Sequence, residues 1–550
     1  MEKTEKTNWL KILLPFILSV VLSAGFFMGV KISSNKPGNL NGGGFNAAGG
    51  AQITNIINYI VESYVDSINP AVLTEGAIHS LLRELDPHSA FIPAREFNER
   101  IDPLIGTFEG IGIEFNMMND TVLIISPIAD GPSEKVGIMP GDKIIEVNDE
   151  KIAGVGKSSS EVVGLLKGPK GTKVNMKIKR QGVTELLPFT ITRDKIPQYS
   201  LDVAYMVNHY IGYLRFNRFS ATTYQEFKAA IERLLGSGME KLILDLRGNT
   251  GGYLDAAIKM ADEILEENKL IVYTEGRRRS KQVARAKGRG LIENTPIVVL
   301  IDEWSASASE IVAGAIQDND RGLIIGRRSF GKGLVQEQVH LQDGSALLLT
   351  VARYFTPSGR SIQKPYKNGH GESPNDLISG MGHQETAEPM AEDAKNAETF
   401  LTVGGRKVFG GGGIAPDIVL PVQVGEKFIY LNQILNRGLF YRFAFEQGDK
   451  LRTDIKKVGK ASEFASKFVL PNRIYYDFIN FAINHGVRGP ARIDPEVEST
   501  IRAFLKAYLG RVILGPEAFY PVINLQDKTF LRALEVLSGS EYEVLLKPRI

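Results

Sequence analysis

The sequence predicts an α/β protein: a layered core with a β-rich module ahead of it and a helical region behind. Three observations predict this. Between about 200 and 355, apolar strand-like runs alternate with amphipathic helices; between 104 and 195, short β-rich runs alternate with Gly/Pro turns; after about 425 the chain is helical and aromatic-rich. Strand–helix alternation is the pattern of a sheet covered by helices. A chain of 550 residues is also too long for one hydrophobic core, so roughly three or four folded units are expected.

Taken in order, the chain opens with Lys3, Lys6 and Lys11 and then a run of 19 uncharged residues, Ile12–Val30. As a helix it would span roughly 28 Å, about the hydrocarbon core of a bilayer. Residues 1–31 are therefore expected to be a transmembrane anchor; the alternative is a signal that is cleaved to leave a secreted protein. Residues 32–51 are Gly/Asn-rich and read as a flexible linker. In 52–103 apolar residues recur at helical spacing (Ile53, Ile56, Ile57, Ile60, Val61) until Asp86-Pro87 breaks the pattern. Residues 104–195 carry the strand runs Val122–Ile125, Lys143–Val147 and Lys173–Ile178, as a compact β module would.

The core is expected over 196–422. Tyr224–Leu235 places Phe227, Ile231, Leu234 and Leu235 on one helical face. Leu242–Leu246, Pro296–Ile301 and Leu323–Gly326 read as buried strands, with helices Tyr253–Glu266 and Glu310–Gln317 between them. Residues 364–412 are polar and Gly-rich and read as an exposed insertion. Residues 423–550 form a helical region in which no chemical motif is visible.

Composition narrows the function. The sequence has no cysteine, which removes thiolate metal sites, iron–sulfur clusters, disulfides and a cysteine nucleophile. With 65 basic and 63 acidic residues the net charge is +2, which gives no reason to expect nucleic acid. No metal and no cofactor are expected. Nothing in the sequence sets an oligomeric state.

Two segments carry chemistry. Leu242–Leu246 runs into the glycine turn Arg247-Gly-Asn-Thr-Gly-Gly252, which exposes backbone N–H groups in a concave nest suited to a developing oxyanion. A plain tight turn explains it as well. The second segment is Ser305-Ala-Ser-Ala-Ser-Glu310, followed by Gly326-Arg-Arg-Ser-Phe-Gly-Lys-Gly333. A serine at a helix start would sit among free N–H groups, although Ser307-x-x-Glu310 is equally a capping box. Only seven histidines are present, none in a G-x-S-x-G context, so a serine nucleophile needs another base. A lysine held neutral by burial supplies one, and Lys332 between two glycines is the candidate. Gly326–Lys332 also fits the first part of a P-loop, but Gly333 stands where Ser or Thr must bind magnesium. Ser329-x-x-Lys332 fits S-x-x-K without the S-D-N or K-T-G that should accompany it.

The serine triple, Gln317-Asp318, Phe330-Gly-Lys-Gly333 and Gln336 together resemble the C-terminal (tail-specific) processing peptidases. The Asp245–Gly252 turn, Tyr354-Phe-Thr-Pro-Ser-Gly-Arg-Ser-Ile-Gln363, Gly413-Ile-Ala-Pro-Asp417 and, upstream, Leu85-Asp-Pro-His-Ser89 are similar to motifs of the same family. The resemblance covers about 55–420 and implies a crotonase-like protease core. It implies Ser307 as nucleophile, Lys332 as base and Gln336 orienting that base. It places the oxyanion hole at the N–H of Ala308 and of Gly251 or Gly252. It also implies a PDZ domain in 104–195, where Gly110, Ile111, Gly112 and Ile113 would hold the free C-terminal carboxylate of a protein or peptide substrate added as a strand. Lys167 is expected to be solvated. The resemblance further implies a bacterial inner-membrane protein whose residues 32–550 are extracytoplasmic (periplasmic). The competing class is a membrane-anchored PDZ scaffold with a dead protease core; the serine, lysine and glycine turn all being present favours the enzyme.

Overall fold

The computed structural model describes residues 47–366, 398–421 and 425–547, apart from residues 119, 129 and 181. The chain separates into two units between Ala77 and Ile78. The first carries helix Ala47–Ser63 and the start of helix Pro70–Arg83. The run Ile12–Val30 lies outside the described residues, and among those described no helix is long and apolar enough to cross a membrane.

A six-stranded sheet organises the second unit. Its strands are β1 (Leu201–Met206), β2 (Ile211–Phe216), β3 (Lys241–Asp245), β4 (Ile297–Ile301), β5 (Leu323–Gly326) and β6 (Ile418–Val419), side by side in that order. β1 is antiparallel to β2, and every later pair is parallel. Parallel strands need cover on both faces, which is why these segments read as unbroken apolar runs. Leu242, Leu244, Ile297 and Val299 pack against α1 (Thr223–Gly236), α2 (Leu254–Asp262) and α3 (Ala308–Asp318). The alternate residues Ile243, Val298 and Leu300 point the other way, onto Phe530, Ala533, Val536 and Leu537 of α4 (Lys528–Ser538). Each fully buried side chain of this size contributes roughly 1.5–3 kcal/mol. The second layer of the core thus comes from the far end of the chain, inside a region whose sequence shows no motif. Lys241 Nζ donates to the Leu537 carbonyl (2.6 Å), and the Ile297 N–H donates to the Tyr542 hydroxyl (3.0 Å), fixing the same contact at its rim.

A second sheet joins Ala90–Ile92, Ala346–Phe355, Leu270–Glu275 and Gln282–Arg285, with Leu334–His340 also paired to Ala346–Phe355. It brings the Asp86–Ser89 turn to the strand that bears Gln336. Ahead of the core, an antiparallel sheet runs in the order Ile113–Met117, Val122–Pro127, Lys143–Val147, Lys173–Lys179, Leu187–Thr192. Ile113–Met117 lies at its edge. Helix Ser159–Leu166, opened by a capping box of Ser158 and Glu161, packs Val162 and Leu166 into one core with Ile111 and Val122.

Two regions take a definite form. Within the stretch read as an exposed insertion, Thr399–Leu401 and Lys407–Phe409 form a hairpin, and Arg406 pairs with Asp320 (2.5 Å) and Asp417 (2.7 Å). Arg406 thereby ties the hairpin to the end of α3 and the start of β6. Lys167, expected to be solvated, is only partly so. Its ammonium pairs with Asp102 (2.7 Å) and lies 5.2 Å from the centre of the Phe108 ring, because Asp102 on helix Ala94–Ile105 offers a half-buried carboxylate.

Candidate active site

The Ser305–Glu310 segment joins β4 to α3, and its three serines do different things. The Ser305 hydroxyl donates to the Leu246 carbonyl and the Ser309 hydroxyl to the Asn249 carbonyl, both at 2.9 Å. Both serines are fully buried and pin the helix start to the glycine turn. Ser307 between them is half-buried and sits at φ 53°, ψ −111°. For a residue with a Cβ this conformation costs roughly 1–3 kcal/mol, and such strain concentrates at functional sites.

Glu310 caps that turn but does more than a cap requires. Its Oε2 accepts the N–H of Ser307 (2.8 Å) and the N–H of Lys332 (2.9 Å). Its Oε1 accepts the Ser329 hydroxyl (2.5 Å) and the N–H of Gly331 (2.7 Å). One buried carboxylate therefore holds the serine loop and the lysine loop together. Burial pushes Glu310 up to about 7 while the four donors pull it down. The sequence shows Glu310 only as a capping residue; its link to Lys332 arises in the fold.

Lys332 occupies a loop between β5 and strand Leu334–His340. No helix follows Gly326, so neither the P-loop nor the S-x-x-K pattern has the structure it needs. Gly331 (φ 91°) and Gly333 let the loop lie against 362–364 and Gly413, where any Cβ would come within about 3.0 Å of backbone nitrogens. Lys332 Nζ donates to Gln336 Oε1 (2.9 Å), and Gln336 Nε2 donates to the His88 carbonyl (2.6 Å). The pairing register shifts between Val335 and Gln336, leaving Val351 of the partner strand unpaired beside the glutamine. Burial lowers Lys332 below the ordinary lysine value, against the pull of Asp86 and Glu310. Burial, aided by Lys332, also takes His88 down to about 4, so its imidazole is neutral at pH 7. The turn around it is fixed by Asp86, which accepts the N–H groups of His88 (2.8 Å) and Ser89 (2.7 Å). In this conformation the lysine is bonded to Gln336 and not to the Ser307 hydroxyl.

The glycine turn abuts the serine loop. A Cβ on Gly251 would lie 2.7 Å from Ser307 Cβ and 3.0 Å from the Ala308 nitrogen. The Gly251 N–H is taken by Asn249 Oδ1 (2.9 Å). The N–H groups of Gly252 and of Ala308, the first residue of α3, have no acceptor among the described residues. Of the two glycines, Gly252 keeps its donor free.

In the β module, Ile111 and Gly112 turn their carbonyls inward, to the hydroxyl (2.6 Å) and N–H (3.1 Å) of Ser133 and to the N–H of Ile128 (3.0 Å). Their own N–H groups have no acceptor among the described residues. Gly112 needs its φ of 73° to make the turn, and its missing side chain leaves room for Ile196. Gly110 ends the preceding strand, paired with Asp194, and Ile113 begins the open edge strand. Loop and edge together match what a terminal carboxylate and an added strand require. Among the described residues no cluster of His, Asp or Glu could hold a metal ion.

Residues 210–370 match peptidase family S41, residues 110–190 match a PDZ domain, and residues 430–515 match a family of unknown function. A carboxy-terminal-processing protease of Bartonella bacilliformis is 39% identical over 357 residues, covering 64% of this chain and 78% of that protein. The carboxy-terminal processing protease CtpB of Bacillus subtilis is 33% identical over 360 residues, 62% of this chain and 72% of that one. Among solved structures, a photosystem II D1 C-terminal processing protease is similar at 29% identity and a TM-score of 0.33, over 57% of this chain and 90% of that chain. The chain belongs to the carboxy-terminal-processing proteases of peptidase family S41: it is a serine peptidase, equipped with a PDZ domain, that processes C-terminal tails.

Proposed function

We propose that Ser307 is the nucleophile and Lys332 its general base in a crotonase-like protease core. Neutral Lys332 takes the Ser307 proton as the oxygen attacks the scissile carbonyl, and the N–H groups of Gly252 and Ala308 receive the oxyanion. Lys332 returns the proton to the leaving amine, then activates the water that hydrolyses the acyl-enzyme. Gln336, held by the His88 carbonyl, keeps the amine in register. For the first step Nζ turns from Gln336 to Ser307, the kind of contact that tightens when substrate binds. One observation carries this reading: the backbones of Ser307 and Lys332 hang on the same oxygen of Glu310. It is supported by the serine triple itself, of which only Ser307 has its place at the strained, half-exposed position.

The substrate tail is captured by its free carboxylate at Gly110–Ile113 and adds as a strand beside Ile113–Met117. The uncharged run Ile12–Val30 anchors the chain in a bacterial inner membrane with its catalytic part extracytoplasmic; the run's length and apolarity support the anchor, and the family resemblance supports the membrane and the side. The test of the dyad's first member is cleavage of a tailed peptide by alanine variants. Ser307→Ala loses turnover, while Ser305→Ala and Ser309→Ala slow it by loosening the turn. Turnover by folded Ser307→Ala at more than about a hundredth of the parent rate removes it as nucleophile.

A further inference from the structure

We propose that Asp527, in the helical region that follows the protease motifs, is a positioning residue for catalysis: through Arg247 it holds the turn that presents the oxyanion donor Gly252. The inference rests on Gly252 and Ala308 forming the oxyanion hole.

Asp245 ends β3 fully buried, and its carboxylate collects the Tyr213 hydroxyl (2.7 Å), Arg215 Nη1 (2.8 Å) and Arg247 Nη2 (2.7 Å). Two guanidiniums against one carboxylate leave a positive excess in a place with little water. Arg215 leans toward Asp202 at 3.4 Å. Arg247, only 14% exposed, finds its second carboxylate in Asp527, Nη1 to Oδ2 at 2.5 Å. Arg247 is also held by Asp245 through Nε (3.0 Å) and Nη2, but Asp245 is shared with Arg215, so removing the Asp527 charge leaves the pair of guanidiniums under-neutralised and loosens Arg247.

Arg247 is also the first residue of the turn. Its N–H donates to Asp245 Oδ1 (3.0 Å) and its carbonyl accepts Arg215 Nη2 (3.0 Å), so the side chain and the backbone at the turn's entry are fixed together. Two residues on, the Asn249 carbonyl accepts the Ala306 N–H (3.0 Å) and the Ser309 hydroxyl (2.9 Å), and its side chain holds the Gly251 N–H. From Asp527 charge-assisted hydrogen bonds reach Arg247, the covalent chain leads on two residues to Asn249, and the Asn249 side chain holds the N–H of Gly251, the residue beside Gly252. Asp527 is itself anchored as the N-cap of α4, Oδ1 accepting the N–H of Thr529 (2.9 Å) and Phe530 (3.2 Å), while Phe530 is buried under β2 and β3. The far end of the chain therefore does two things at once: it covers the sheet and completes the ion cluster behind the oxyanion turn.

Asp527→Asn separates these roles, because asparagine caps a helix as well as aspartate but carries no charge. Three quantities are measured on the full chain: kcat and KM for a tailed peptide, the affinity of a peptide aldehyde whose hemiacetal oxygen occupies the oxyanion hole, and the affinity of a tail peptide for the PDZ domain. The expected result is a kcat lower by about tenfold or more and aldehyde binding weaker by a similar factor, with tail affinity unchanged. Asp527→Ser, another capping residue without charge, gives the same pattern and stands in if the first variant does not fold. Unchanged kcat and aldehyde affinity overturn the proposal. So does a lowered melting temperature in which the folded fraction binds aldehyde normally. Failure of the underlying oxyanion-hole reading shows differently, as normal kcat and normal aldehyde affinity in Gly252→Ala.

Discussion

At Ile111 and Gly112 and again at Gly252 and Ala308 the chain leaves backbone N–H groups without acceptors among the described residues. The two places differ in what stands behind them. The PDZ loop rests on an apolar core of Ile111, Val122, Val162 and Leu166, with one serine holding its carbonyl. The proposed oxyanion turn rests on buried ionisable groups: Asp245 with Arg215 and Arg247 on one side, and Glu310 with the serine and lysine loops on the other. A terminal carboxylate is already charged and needs only donors within reach, so a softly held loop suffices. An oxyanion exists only at the transition state, and donors stabilise it in proportion to how well they are already aimed. The more heavily braced site is the one where misplacement costs rate and not merely affinity.

That contrast can be broken from either side, beginning with the larger effect. Gly252→Ala would put a Cβ 2.0 Å from the Phe219 carbonyl oxygen, at a φ of 143°. The turn must shift, and kcat should fall by about 10²–10³, the usual consequence of losing one oxyanion donor, while tail affinity for the PDZ domain stays as it was. A variant that turns over normally would show the donor lies elsewhere. On the PDZ side the change is smaller and falls on binding. A substrate whose C-terminus is amidated loses charge-assisted contacts of about 1.5–3 kcal/mol, so KM rises by tenfold or more with kcat little changed. Equal KM values for acid and amide would remove the carboxylate from recognition.

How much of this the sequence discloses depends on the range of the interaction. Strands β3 to β5 and helices α1 to α3 are legible because a continuous buried run, as in Leu242–Leu246, and period-3.6 burial, as in Phe227–Leu235, are written into neighbouring residues. The predicted helix Tyr253–Glu266 ends earlier, at Asp262, where the chain turns back toward strand Leu270–Glu275. Ser307 and Lys332 come from motif resemblance, since local chemistry alone leaves a capping box and a lone lysine. What stays hidden is long-range. Glu310 reads as a cap because its second loop lies about twenty residues on and meets it only in the fold. Asp527 and α4 carry no signal, since a helix that covers a sheet face is an ordinary amphipathic helix until the sheet is known. The Asp86–Ser89 turn was visible as a motif but not as the support of Gln336, because the contact is made by a backbone carbonyl.

Catalysis by the proposed Ser307–Lys332 dyad requires Lys332 to act as a base and not as a fixed positive charge. Lys332→Arg decides between the two, because arginine keeps the charge and a similar reach but does not deprotonate in a protein. The measurement is kcat for a tailed peptide, with circular dichroism establishing that the variant is folded. Loss of a positioned base costs about 10²–10⁴-fold, so the prediction is an enzyme as inactive as Lys332→Ala. A folded Lys332→Arg protein that cleaves at more than about a tenth of the parent rate would contradict it.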